Sequence, residues 1–398
     1  MQLIFLAHNC NITFVKTEIS MLLENPEISE LHVFTEKTNA LDGMLANDKF
    51  YPHFYTNLSV GLSIFTQVKL YFSELFHNRE YYKSWSRIRA GFSEMRSELR
   101  KTSFIFQSGI PSNAVFYSFW GSNEAFILSI LKKYKNISNF ACTRVHSYDV
   151  YEELDGNNGI PWRWLMNKTV DFIFPISENG REYLIKKYPE ISGKVKTFYL
   201  GIPLKEPLRI NEAPLKEVAV VSCGWVYRHK NFDVVFQSLN RIPNLVWTQI
   251  GIGDDFDRLS NSVKNEANIH VNLLGSKTQR EIQDIYTQSK FTCFISLSTA
   301  EGLPVSMMEA LAFGIPIVSS DVGGCAEIVN ENTGVLLSKN YDDEEVRLAV
   351  EQCAVKFSSV ESRRAIQEEC KRKFDAEKNA KNFIQFLKEQ SQIIRGSL

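Results

Sequence analysis

The sequence predicts an α/β chain of two doubly wound domains, each built on a parallel sheet. Three observations carry this. Short apolar runs of strand length alternate with longer segments of helical period, the pattern of βαβ units. The alternation breaks at "LGIPLKEPLRINEAPLKE", residues 200–217, where three prolines fall among polar residues with no period, and resumes at "VAVVSCGW". The length, 398 residues, suits two domains that each bury a core. The expected division is 1–205 and 206–375, with a cleft between the two parallel sheets.

The elements follow in order. "MQLIFLAHNC" lacks the basic start and long apolar run of a secretory leader, so it reads as a first strand, Leu3–Ala7. Further strands are expected at Glu30–Phe34, Phe104–Gln107, Asn139–Val145, Phe172–Ile176 and Val195–Tyr199. After the break come Glu217–Ser222, Leu245–Gly251, Ile269–Leu273, Phe291–Ser296 and Pro316–Ser319. Asn231–Leu239, Thr278–Gln288 and Val305–Phe313 read as helices between them. A last amphipathic helix, 376–394, sets Phe383, Phe386, Leu387, Ile393 and Ile394 on one side and is expected to pack back on the first domain.

Composition narrows the class. Hydrophobic residues make up 44% and charged residues 23%, ordinary for a soluble enzyme. A net charge of -1 gives no basic field of the kind that binds nucleic acid. The seven cysteines are scattered, odd in number and without a C-x-x-C pair, so reduced core residues are expected rather than a metal site or disulfides. No apolar run approaches the roughly 20 residues of a membrane span. A cytoplasmic protein is expected. Residues 60–102 stand apart, mixing aromatics with Lys69, Arg79, Lys83, Arg87, Arg89, Arg96, Arg100 and Lys101. They read either as a helix pair with a solvated face or as a surface for anionic lipid headgroups.

The segment "EGLPVSMME", Glu301 to Glu309, holds the strongest site signal. A buried-strand pattern precedes it, and a helix closed by Gly314 and Pro316 follows Pro304. In parallel α/β sheets ligands bind past the carboxyl ends of strands. A helix start there offers free N–H groups to phosphate, and Gly302 admits a ligand close to the backbone. Glu301 before the helix and Glu309 a turn into it can flank a ligand with a central diphosphate and a hydroxylated ring at each end. The competing reading makes Ser298 and Glu301 a capping box and Glu309 a plain surface residue.

Three further stretches contribute. In "VVSCGWVYRHKNFD" Arg228, His229 and Lys230 follow a strand and can neutralise a diphosphate, or form a solvated basic turn. "QIGIGDDFDRL" has Gly251 and Gly253 but Phe256 where a third glycine belongs, so it fails as a dinucleotide fingerprint and reads as a tight turn lining the cleft. In "RVHSYDVYEE" His146 and Asp149 close a strand of the first half, as a structural histidine or one facing the cleft.

The stretch "STAEGLPVSMMEALAFGIPIVSSDVGGCAEIVNENTGVLL" resembles the donor-site signature of the family-4 retaining glycosyltransferases, which have the two-Rossmann GT-B fold. Glu301 and Glu309 match that family's E-x7-E pair, and Lys230 its phosphate-binding lysine. Phe14 and Glu18 match the first helix. The resemblance, which extends to bacterial capsule, exopolysaccharide and O-chain enzymes, implies the following roles. Glu309 holds the nucleotide ribose. Glu301 and the N–H groups of Gly302, Leu303, Pro304's neighbour Val305 and the adjoining Ser298 segment grip the donor sugar and phosphate, with Gly251 and Gly253 beside them. Lys230 stabilises the leaving diphosphate, and His146 lies near the reacting centre. Two departures stand out: Trp225 occupies the position of a common arginine, a charge Arg228 would have to supply, and "HNCNIT" replaces a glycine-rich first loop.

The implied donor is a nucleotide diphosphate sugar, uridine ranking before guanosine. No metal is needed, and the acceptor is a glycan or lipid-linked glycan at the inner face of the cytoplasmic membrane. Two alternatives are another GT-B enzyme, such as a sugar-nucleotide epimerase, and a non-catalytic glycan- or lipid-binding scaffold. Intact Glu301, Glu309 and Lys230 weigh against the scaffold.

Overall fold

The structure, a computed structural model, describes residues 1–56, 59–154, 158–204, 209–213, 217–266 and 268–396. The boundary expected at 205/206 lies outside the described residues. The chain forms two compact units, Met1–Tyr199 with Glu377–Leu398, and Leu200–Ala376.

The first unit holds six parallel strands: β1 (Gln2–Leu6), β2 (Glu30–Thr35), β3 (Phe50–Phe54), β4 (Val115–Ser118), β5 (Ala141–Val145) and β6 (Phe172–Pro175). Their order is β3-β2-β1-β4-β5-β6, the doubly wound order that reverses direction between β1 and β4. Its helices are α1 (Thr13–Glu24), α2 (Ile64–His77), α3 (Trp85–Gln107), α4 (Asn123–Tyr134), α5 (Ser147–Val150), α6 (Arg163–Thr169) and α7 (Glu178–Lys187).

The second unit repeats the plan with β7 (Val218–Cys223), β8 (Leu245–Ile250), β9 (His270–Leu273), β10 (Cys293–Ser296), β11 (Ile317–Ser319) and β12 (Gly334–Leu336). The order is β12-β11-β10-β7-β8-β9, again all parallel, with the reversal between β7 and β10. Its helices are α8 (Phe232–Leu239), α9 (Phe256–Glu266), α10 (Gln279–Gln288), α11 (Val305–Ala312), α12 (Asp343–Lys356) and α13 (Val360–Phe374).

The structure differs from or adds to the sequence expectations in four places. Phe104–Gln107 is not a strand but the last turn of α3, whose Met95, Leu99, Thr102 and Ile105 face inward at helical spacing. A short apolar run cannot by itself distinguish the two, and the strand is instead the fully buried Val115–Ser118. Val195–Tyr199 makes only an isolated bridge, Val195 to Ile173. The missed strand β3 contains Pro52, which an edge position tolerates because no neighbour needs its N–H. Finally, within the expected linker 200–217, residues 209–213 are anchored. Asn211 is buried, donates to the carbonyls of Tyr286 (2.7 Å) and Ser289 (2.6 Å), and accepts from the buried Arg363 at 3.1 Å.

The last helix, α14 (Ala376–Gly396), returns to the first unit. Phe383, Ile384 and Leu387 join the core with Phe5, Tyr117 and Phe174. The Arg144 guanidinium lies 4.6 Å over the Phe383 ring and donates to Tyr117 (2.6 Å), Glu18 (3.1 Å) and the Phe198 carbonyl (3.0 Å). A buried charge is tolerated when hydrogen-bonded this fully. All seven cysteines are free.

Candidate active site

The reversal between β7 and β10 makes a crevice at their carboxyl ends, and two loops fill its rim. One leaves β7 after Cys223 and carries Gly224 to Lys230. The other leaves β10 after Ser296 and runs to Pro304. They meet directly: Lys230 Nζ donates to Glu301 Oε1 at 2.6 Å, and both side chains are largely buried, 19% and 10% exposed. Thr299 N–H to the His229 carbonyl (2.8 Å) and Asn231 Nδ2 to the Leu297 carbonyl (3.1 Å) lock the two loops together. Asn231 does this from a left-handed conformation, φ 56°, which asparagine tolerates well.

Glycines let these backbones touch. A Cβ on Gly323, φ 51°, would sit 1.7 Å from the Glu301 carbonyl oxygen, while Gly324 N–H donates to the Gly302 carbonyl at 3.0 Å. The Gly323–Gly324 pair thereby sets the backbone that aims Glu301. Gly251 and Gly253 serve the loop after β8 in the same way. A Cβ on either would lie 2.0 Å from the Gly224 oxygen or 2.3 Å from the Val226 oxygen. Their near faces are thus taken up by the β7 loop.

Helix α11 starts at Val305 with Pro304 as N-cap, in extended conformation and without a side-chain cap. Met307 and Met308 N–H reach back to the Pro304 carbonyl, whereas the N–H groups of Gly302, Leu303, Val305 and Ser306 have no hydrogen-bond acceptor among the described residues. These uncapped donors carry the positive end of the helix dipole. The capping-box alternative does not form. Ser298 pairs its hydroxyl with Ser296 at 3.1 Å, its carbonyl accepts from Ser320 at 2.7 Å, and Glu301 faces Lys230 instead.

Glu309 lies on the second turn of α11. Its Oε1 accepts from Gln279 Nε2 at 2.8 Å, and burial pushes its carboxyl up to about 7. Gln279, at the start of α10, escaped sequence reading. The Thr278–Glu281 capping box marks that helix start in the sequence, but nothing local says which way Gln279 points. Arg228 is exposed on the β7 loop, and no hydrogen bond or ion pair joins it to Glu301 or Glu309 among the described residues. Trp225 is 57% exposed.

His146 belongs to the first unit, at the carboxyl end of β5. It is buried among Trp120, Phe119 and Phe14, ring centroids 4.5, 4.9 and 6.1 Å away. Burial lowers its pKa, and Asp149 Oδ2 stands 3.6 Å from Nδ1, beyond a hydrogen bond. The first unit's own strand reversal holds a pair the sequence did not announce. His8, just past β1, meets Glu124, at the start of α4, at 2.5 Å. That contact raises the histidine's pKa.

Residues 205–373 match the family model described as glycosyl transferases group 1. Over this segment, which is less than half of the chain, the sequence is similar to the group 1 glycosyltransferases. Three curated relatives each align over less than half of the chain. An Escherichia coli O-antigen biosynthesis glycosyltransferase, WbnH, is 27% identical over 44% of this chain and 48% of its own length. The Erwinia amylovora amylovoran biosynthesis glycosyltransferase AmsK is 28% identical over 37% and 39%. A Streptococcus agalactiae UDP-N-acetylglucosamine–peptide N-acetylglucosaminyltransferase GtfA subunit is 27% identical over 47% and 38%. The chain thus spans about half or less of these relatives.

Solved structures are similar over the full length. Anabaena HepE in complex with UDP-glucose has a TM-score of 0.69 at 14% identity, covering 100% of both chains. The apo lipopolysaccharide outer core galactosyltransferase WaaB has a TM-score of 0.68 at 16% identity, covering 98% and 100%. At these identities the likeness establishes the fold, and the two parallel sheets are those of the GT-B class.

Proposed function

We propose that this chain is a group 1 glycosyltransferase that moves a sugar from a nucleotide diphosphate sugar to an acceptor hydroxyl, with retention at the anomeric carbon. The observation that carries the proposal is the Lys230–Glu301 contact beside the uncapped start of α11. Free N–H groups and a lysine at one strand reversal suit a diphosphate, whose charge grows as the sugar leaves. Glu309 accepts from the ribose hydroxyls, and Glu301 from a hydroxyl of the donor sugar. Without donor, Lys230 neutralises Glu301; donor phosphate then draws the ammonium, and the freed carboxylate turns to the sugar.

In the transfer step the acceptor oxygen bonds to the anomeric carbon as the bond to the phosphate oxygen breaks. The acceptor's proton passes to that departing phosphate on the same face, so no separate general base is required. Lys230 and the α11 start take the role a divalent metal would otherwise fill, and transfer should proceed in the presence of a chelator. His146, on the first unit, is expected to be a neutral imidazole, because burial lowers its pKa.

Uridine is the favoured base, supported by the UDP-glucose complex of HepE and the UDP-N-acetylglucosamine donor in the name of the GtfA relative. The O-antigen and amylovoran relatives support a glycan or lipid-linked glycan acceptor in surface-polysaccharide assembly on the cytoplasmic side.

A panel of nucleotide sugars, scored by thermal protection and by donor hydrolysis, tests the reading. One donor should stand out, and Lys230→Ala should lower its kcat by about 10²–10³-fold, as loss of one charge-stabilising donor does. Wild-type turnover by that variant refutes the leaving-group role. A panel in which no donor protects points to a non-catalytic scaffold.

A further inference from the structure

Helix α2 is apolar on two sides. Its inner side, Gln67, Leu70, Tyr71 and Glu74, is buried, with Leu70 and Tyr71 packed among Met95, Leu99, Phe126 and Trp162. A helix so anchored ordinarily turns charged and polar residues outward. Here Phe65, Phe72 and Phe76 face out, 77%, 65% and 64% exposed, with Ile64 (63%) and Val68 (39%) beside them. Spacings of seven and four residues keep the three rings within about 40° of one line along the helix, roughly 16 Å long. Exposed apolar side chains scattered singly need no explanation, but a row does.

Positive charge lies beside the row. Residues 60–102 hold eight lysines and arginines against four glutamates, in a chain whose net charge is -1. Two of those glutamates, Glu74 and Glu98, are buried, so the outward surplus is larger still. Arg79 lies 4.7 Å over the Phe76 ring at the end of the row, and Lys69 is exposed within it. Beside the same end His77 stacks on Trp164 at 4.3 Å, and that ring also carries Lys133 at 5.4 Å and Lys168 at 5.6 Å. Of the basic residues expected on this surface, Lys101 turns inward to Glu36 and Glu98 and does not contribute.

We propose that α2 lies flat on an anionic membrane surface, Phe65, Phe72 and Phe76 entering the headgroup–acyl boundary and Lys69, Arg79 and Lys168 engaging lipid phosphates. Aromatic rings rimmed by long basic side chains are the chemistry of that boundary, because the stems lie along apolar surface while the charges reach the phosphates. No helix among the described residues is long and apolar enough to cross a membrane. A second copy of the chain fits this face poorly. Self-association would set Lys69 and Arg79 of the two copies together, and three rings fall well short of the roughly 800 Å² per partner of a stable interface. The proposal rests on α2 and the basic residues beside it, so its failure would leave the donor-site reading intact.

The test is co-sedimentation of the full chain with phosphatidylcholine vesicles, and with vesicles that are about one-third phosphatidylglycerol. Wild type should bind the anionic vesicles and not the neutral ones. The triple variant Phe65→Ser, Phe72→Ser, Phe76→Ser should bind at least tenfold less, with unchanged thermal unfolding and unchanged hydrolysis of soluble donor. Arg79→Glu with Lys168→Glu should lose binding at physiological salt. Absence of wild-type binding to anionic vesicles at low salt overturns the proposal. So does a triple variant that binds like wild type, or a wild-type dimer that the triple variant turns into a monomer.

Discussion

Replacing Glu309 by glutamine separates stability from function in one substitution. Burial lifts this carboxyl from its ordinary 4.5 to about 7, against the opposing hydrogen bond from Gln279. Between those values the unfolded chain has released the proton while the folded chain keeps it. The folded state binds more protons there, so this group's contribution to stability declines as pH rises from 4.5 to 7 and is flat above. At 1.36 kcal/mol per unit, the whole window is worth at most about 3 kcal/mol. Glu309→Gln stays neutral and still offers an amide oxygen to Gln279. Its unfolding free energy in urea titrations should therefore match wild type near pH 4.5 and exceed it at pH 8, by up to about 3 kcal/mol. Donor use should move the opposite way. Losing a carboxylate that accepts ribose hydroxyls should lower kcat/KM by about 10–100-fold, mostly through KM, since charged hydrogen bonds are worth roughly 1.5–3 kcal/mol. Wild type should also bind donor more tightly as pH rises through about 7, a trend the variant lacks. A stability difference equal at both pH values would refute the raised carboxyl, and unaltered donor affinity would refute its role at the ribose.

Gly323→Ala meets a left-handed backbone and a carbonyl oxygen 1.7 Å away, so the Glu301 loop must shift. It should destabilise the chain by more than about 2 kcal/mol in urea unfolding and abolish thermal protection by donor; a variant with both intact would disprove the aiming role of this glycine. Phe383→Ala removes the ring that packs on Tyr117 and Phe174 and lies under Arg144. Equilibrium unfolding should show a loss of about 3–5 kcal/mol, and a loss below 1 kcal/mol would mean α14 is not part of the first unit's core. His8, whose pKa is raised by Glu124, adds stability that is complete below its unfolded value of 6.5 and vanishes as pH rises through the folded one. His8→Gln should flatten that segment of the pH–stability curve, and an imidazole titrating at or below 6.5 by NMR would exclude the pairing.

Much of the fold is legible in the chain itself because hydrophobic period and turn chemistry are local. Most strands of both sheets read directly as buried apolar runs, and the start of α11 reads from Pro304 and the strand before it. The losses have local causes too. "SFIFQ" has no period that separates strand from helix, and Pro52 argues against a strand unless its edge position is known. Glu301, Glu309 and Lys230 stood out because acids and a lysine at strand exits are chemically conspicuous.

What the sequence determined by itself is the α/β alternation, the chemistry of the "EGLPVSMME" segment and the surplus of basic and aromatic residues at 60–102. Tertiary structure alone decided three things. It set Lys230 against Glu301 across 71 residues, it raised one carboxyl and left its neighbour paired, and it turned the Phe65–Phe76 row outward. The physical reason is common to all three. Partner, burial and exposure depend on which other segments arrive at a given surface, and strand order, which no local pattern encodes, settles that.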